Sequence, residues 1–286
     1  MQRAAIIRFR WASTATWTFL LIACLSVLTA LPAHARALTA DNSGRFERTL
    51  AVGDSAIVDV QTAAGHISVR TWSGPGVRIV GEVRVKSGLL GKNSVGEAKM
   101  RHLLSHPPIH RRGNSIRIGG LRDTDLLQDL FISYEIQVPE QTRLRTNTGL
   151  GDLLVEGLRG SVNADTGAGK VTISRIFGDV HANSGLGDIL IREVRGTLRV
   201  DSGAGNVSAE GDPWGAWRLS TGLGDVRVRF LGQRGLDVHA ETGLGSISTK
   251  YPLLVEGLIS KELRGKVRGG GMLVELKSGT GSIHIE

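Results

Sequence analysis

Along the C-terminal half of the chain aliphatic and polar side chains alternate in short runs. Leu153 and Val155, Val171 and Ile173, Val180 and Ala182, Ile189 and Ile191, and Leu198 and Val200 are the apolar pairs. A period of two predicts strands, since successive side chains of a strand point to opposite faces. The runs are punctuated by a motif, Thr/Ser-Gly-x-Gly-x-aliphatic, that begins at residues 148, 166, 184, 202, 221, 242 and 278, in steps of 18, 18, 18, 19, 21 and 36. A looser copy starts at Thr62. Aliphatics one period apart form columns, which is what stacking of coils into a continuous core requires. The pattern predicts an all-β fold, a single-stranded parallel β-helix (β-solenoid) with coils of about 18 residues, two short strands per coil, and the right-handed path usual for parallel crossovers. The alternative is an antiparallel β-sandwich or meander with a hairpin at Glu156–Gly160. Pairing of Ile189 with Val171 or Val207 supports the first; pairing with Val200 supports the second.

The glycines read as corners, because a chain turning this often needs positive φ and only glycine accepts it cheaply. The residue between them alternates as Leu150, Ala168, Leu186, Ala204 and Leu223. Pointing inward, such a series would fill the corner with large and small side chains in turn. The last step of 36 equals two periods and predicts a glycine-poor coil, one that has lost its corner glycines, from Leu253 to Gly270. Ahead of the repeats, strands are expected at 57–60, 67–70, 77–80, 83–85, 115–118 and 131–138. A basic helical excursion is expected over 92–105, ended by Pro107 and Pro108. The domains expected are a signal peptide over 1–35, an N-terminal solenoid start over 36–145 with an insertion at about 86–112, and regular repeats over 146–286.

Charge and targeting narrow the setting. Arg3, Arg8 and Arg10, an apolar run from Trp17 to Leu31 and small residues up to Ala35 form the three-part pattern of a secretory signal, with cleavage expected after Ala35, Ala37 as the second choice and an uncleaved anchor as the alternative. Lipidation at Cys24 is the lesser alternative, because apolar residues follow it; the mature chain then holds no cysteine. It carries 32 Lys+Arg against 27 Asp+Glu, and nine of the basic residues fall between Glu82 and Arg122 with two acidic ones. Lys92, Lys99, Arg101, Arg111 and Arg112 are the candidate binding residues. An anionic envelope surface, an acidic glycan or another envelope protein is the expected partner; nucleic acid is not, since no aromatic platform interleaves the charges.

No catalytic, cofactor or metal site is expected. Asp152, Asp188 and Asp225 follow glycine corners, as in calcium-binding β-rolls, but one period on stand Lys170 and Asn206, so charge compensation between strands is the reading preferred. His102, His106 and His110 are four apart, yet prolines interrupt their helix. The corner hydroxyls recur seven times, which marks structure rather than a nucleophile. Trp214 and Trp217, in the coil expanded to 19 residues, are expected to plug a corner. A lyase or hydrolase on the same fold is the alternative function and needs two acids converging in a cleft.

The opening Phe46-Glu47-Arg48-Thr49-Leu50, the run from His66 to Val83, the strand Tyr134–Val138 closed by Pro139 and the tandem glycine corners together resemble the bacterial putative-adhesin family of unknown function. The resemblance spans about residue 46 to the end. It implies an exported, non-enzymatic β-helical envelope protein, adhesin-like in binding or scaffolding, with no catalytic residues to carry over. The basic stretch 86–112 and the glycine-poor stretch after Tyr251 depart from it.

Overall fold

The computed structural model describes residues 43–86, 94–120, 130–251, 254–255 and 261–286. The expected signal segment, Cys24 and Lys92 lie outside the described residues. The chain opens with β1 (Ser43–Leu50), β2 (Ile57–Ala64), β3 (Ile67–Thr71) and β4 (Val77–Val85). The helix α1 (Ser94–Ser105) follows, then β5 (Ile109–Arg112), β6 (Ser115–Gly119) and β7 (Leu130–Val138). The helix stops before Pro107, which cannot continue it, and its buried Gly96, Met100 and Leu103 seat it on β4 and β1. The repeats supply β8 (Arg143–Leu150), β9 (Leu153–Glu156), β10 (Val162–Ala168), β11 (Val171–Phe177), β12 (Val180–Leu186), β13 (Ile189–Ala204), β14 (Val207–Leu223) and β15 (Val226–Phe230). The end is built by β16 (Leu236–Leu244), β17 (Ile247–Thr249), β18 (Leu254–Val255), β19 (Glu262–Val267), β20 (Met272–Thr280) and β21 (Ile283–Ile285).

The fold is all-β, a mixed sheet with a single helix among the described residues docked on β4 and β1. In the middle, strands one period apart pair in parallel: β8 with β10, β10 with β12, β9 with β11, and β11 with β13. Ile189 pairs with Val171 on one side and Val207 on the other, so both its neighbours come from adjacent repeats of the sequence and not from Val200. Two sets of inward side chains meet in the core. Leu153, Val171, Ile189, Val207 and Val226 come from one ladder and Leu144, Val162, Val180, Leu198 and Trp217 from the other, all at most 2% exposed.

A purely parallel sheet does not form. At one end β4 pairs antiparallel with β7 and with β1, and β5 with β6; at the other β19 pairs antiparallel with β16 and β18. An end layer has unpaired strand edges and no further coil to cover them, and an antiparallel neighbour can reach it through a short turn.

The order of layers also departs from the order of the sequence. β2 and β3 lie between β6 and β7 on one side and β8 and β9 on the other. At the C-terminal end β20 and β21 are inserted between the β14–β15 and β16–β17 layers. The expected coil without corner glycines over Leu253–Gly270 is therefore overturned: its described part supplies antiparallel strands, and the last corner docks directly on the corner at Thr221. Charge favours this order. Glu275 stands between Arg218 and His239, accepting from Arg218 Nε at 2.6 Å, and Lys277 comes within 3.7 Å of Glu241.

Each corner is closed by its hydroxyl. Thr148, Thr166, Ser184, Ser202, Thr221, Ser278 and Thr242 donate to the carbonyls of Gly65, Gly151, Gly169, Gly187, Gly205, Gly224 and Gly281 in the next layer, at 2.7–3.3 Å. The expectation that the residue between the glycines points inward is wrong. Leu150, Leu186, Leu223 and Leu244 are 58–64% exposed, because backbone packed on backbone fills the corner and leaves no room inside. In stack order the alternation nevertheless continues through the inserted layer as Leu223, Thr280, Leu244.

The two tryptophans of the expanded coil part company. Trp217 is fully buried, donates from Nε1 to the Gly196 carbonyl at 3.0 Å and packs on Phe230. Trp214 is 55% exposed beneath the Arg234 guanidinium, so only one of the pair plugs the core. Trp217→Ala should cost about 3–5 kcal/mol of unfolding free energy. Trp214→Ala should stay within about 0.5 kcal/mol of wild type. Urea denaturation of both variants checks this.

Candidate functional site

Strand alternation turns Val or Ala inward on the β8 side of the stack and sends the neighbouring residue out. The outward residue three places before each corner hydroxyl therefore falls in one column. In stack order this column reads Arg117, Asp59, Arg145, Asn163, His181, Arg199, Arg218. It runs along a groove of about 950 Å³, lined also by Arg143, Ser161, Asp179 and Thr197 two places earlier in each layer, by the aliphatic Ile57, Val58, Leu144, Val162, Val180 and Leu198, and by His110, Arg111 and Arg112 of β5. Seven arginines and two histidines face two aspartates there.

The arginines differ in how far they are occupied. Arg117 lies 3.7 Å from Asp59, Arg199 3.1 Å from Asp201, and Arg218 2.6 Å from Glu275. Among the described residues Arg143 and Arg145 form no ion pair, and both are exposed. A guanidinium held at a fixed backbone position and left unpaired is a ready donor for a carboxylate or sulfate.

Of the five sequence-expected binding residues, Lys92 lies outside the described residues, and the other four fall in two places. Arg111 and Arg112 line the groove, whereas Lys99 and Arg101 sit on α1 against β4 and β1. In the described part of the insertion the helix is docked on β4 and β1, and the last strand pairs with β6 and belongs to the groove wall. Arg143, Arg145, Arg199 and Arg218 were missed because they are spread along the sequence. Reading the repeat at the position three before each corner hydroxyl would have found three of them.

The remaining candidates for chemistry are engaged elsewhere. Asp152 and Asp188 accept the backbone N–H of Lys170 and Asn206 at 2.8 and 2.7 Å, and Asp225 that of Ser282 at 2.8 Å. These carboxylates hold the backbone of the next layer, a different role from the charge compensation expected. The rings of His102 and His106 stack at 5.2 Å, while His110 lies at the groove. Carboxyls held below their ordinary range are Glu47, by a hydrogen bond from Arg78, and Glu262, by one from Arg264. Both stand on antiparallel end strands outside the groove. Among the described residues no group of His, Cys, Asp and Glu has the arrangement of a metal site.

No family model and no curated protein matches the chain. Among solved structures it is similar to a putative cell adhesion protein from Clostridium sporogenes, with 14% identity over 85% of this chain and 98% of that one and a TM-score of 0.37. A putative adhesin from Bacteroides fragilis is 12% identical over 85% and 97%, with a TM-score of 0.41. One from Parabacteroides distasonis is 8% identical over 85% and 97%, with a TM-score of 0.34. These values are too low to carry a functional assignment.

Proposed function

We propose that the chain is a non-enzymatic, exported cell-envelope protein that binds its partner along the outer face of a right-handed parallel β-solenoid, with a boundary near residue 145 between its start and its regular repeats. The supporting observation is that the recurring polar groups are spent on the scaffold while the large groove gathers seven arginines. Corner hydroxyls and corner aspartates bond the backbone of the next layer. Of the ionisable groups at the groove most are guanidinium, which binds anions and does not titrate in the range a general acid or base needs. The signal-like N-terminus supports export, and no helix among the described residues is long and apolar enough to cross a membrane.

Expression of the full chain with a C-terminal tag in a Gram-negative host tests the reading. The exported protein should begin at Arg36, and it should retain envelope polysaccharide or envelope protein on a column at low salt without shortening it. A cytoplasmic product with Met1 intact removes the export part. Depolymerisation of a retained acidic glycan removes the non-enzymatic part.

A further inference from the structure

We infer that the arginine groove is a binding site for a linear acidic polysaccharide, a carboxylated or sulfated glycan that lies along the stack with its acidic groups on the arginine column. The inference rests on the binding role proposed above and names its ligand class; it does not depend on export.

Shape is the first reason. The groove crosses seven strands, β6, β2, β8, β10, β12, β13 and β14, so its long axis is perpendicular to them. Six strand spacings give it a length of about 29 Å. A site so long, with one outward side chain per layer, suits an extended chain with a short repeat better than a compact ligand. A flat layer of lipid headgroups meets the rims of such a concavity and not its floor.

The kind of charge is the second. The cations are arginines with no lysine among them, and a planar guanidinium grips a carboxylate or sulfate through two parallel hydrogen bonds. Arg143 and Arg145 spend their charge on no partner among the described residues.

The third reason separates a sugar acid from other polyanions. Two residues further along each strand runs a second column, Asn147, Asp165, Asn183, Asp201 and Ser220. Asp165 accepts from Asn183 at 2.6 Å and Asp201 from Ser220 at 3.0 Å, so the carboxylates are fixed beside the arginines. This bank repels a uniformly anionic surface such as a bilayer or a phosphodiester backbone. It accepts hydrogen bonds from hydroxyls, and a sugar acid carries both groups on one ring. No Phe, Tyr or Trp lines the groove, so bases find nothing to stack on.

The test measures binding of the full chain to polygalacturonate, with neutral dextran, phosphatidylglycerol vesicles and single-stranded oligothymidine as competing probes. Polygalacturonate should bind best at 0.1 M salt and be released toward 1 M, where the Debye length falls from about 10 Å to about 3 Å. A variant with Arg143→Gln, Arg145→Gln and Arg199→Gln should bind about tenfold more weakly. The double variant Arg143→Gln and Arg145→Gln, which touches no ion pair, should show most of that loss, and Lys99→Gln with Arg101→Gln on the helix should show none. Thermal melting verifies that each variant is folded. Polygalacturonate binding that survives the groove variants, or falls with the helix variant, overturns the groove while leaving a binding role intact. Dextran binding as strong as polygalacturonate, or tighter binding of vesicles or oligothymidine, overturns the ligand class. Binding of none of the four overturns the inference altogether.

Discussion

A chain ended after Gly271 is expected to lose its cooperative unfolding transition, although it lacks only the last strands, β20 and β21. If layers followed the order of the sequence, the deletion would strip an outer layer. The stability of a stacked repeat is close to a sum over layers and their interfaces, so the rest would melt much as before. In the structure the deleted segment is an inner layer, flanked by β14 and β15 on one side and β16 and β17 on the other. Its Val274, Leu276, Ile283 and Ile285 are at most 1% exposed. Burial contributes roughly 1.5–3 kcal/mol for each such side chain, so the loss approaches the whole stability of a typical domain, about 5–15 kcal/mol. Ser278 and Thr242 lose their bonds across the inserted layer as well. Circular dichroism melts of the two chains decide it. A melting temperature within a few degrees of the full chain means the inserted order is wrong.

The second large effect is expected at a corner. Gly187 has φ +141°, and a Cβ there would lie 2.1 Å from the carbonyl oxygen of Gly169 in the layer below. Valine is strained in that conformation by roughly 1–3 kcal/mol, and the contact cannot be relieved by rotating a side chain because both partners are backbone. Gly187→Val must therefore also push two layers apart, which places it among the most damaging point substitutions, at about 4 kcal/mol or more. Arg192→Ala, four residues beyond the corner aspartate Asp188 and exposed, should change stability by no more than about 0.5 kcal/mol. Denaturant titration of both proteins measures the difference; equal midpoints would remove the close approach of the corners from the account.

Much of the groove was legible in the chain, though not by the signal that drew attention to it. Charge density singled out residues 82–122, and of the five binding residues expected there Arg111 and Arg112 reach the groove while Lys99 and Arg101 ride on α1. Arg145, Arg199 and Arg218 are separated by 54 and 19 residues and form no cluster in the sequence. They meet because strand alternation turns each of them outward at the same position of its coil.

By itself the sequence determined what is local and repeated. Alternation of aliphatic and polar residues specifies strands and their inner faces, the paired glycines specify where the chain turns, and Pro107 and Pro108 specify where the helix stops. These follow from side-chain direction and allowed φ, which each residue carries with it wherever its coil lies. Only the tertiary structure decided the order of the layers. The corners are nearly identical, and a corner hydroxyl can bond the glycine carbonyl of any layer that packs against it, so local rules leave the neighbour open. Side chains distant in sequence make the choice: Glu275 between Arg218 and His239, Lys277 beside Glu241, and Thr280 between two exposed leucines. The same long-range packing turned those leucines outward, since in a stack of close-packed corners the backbone itself occupies the inside.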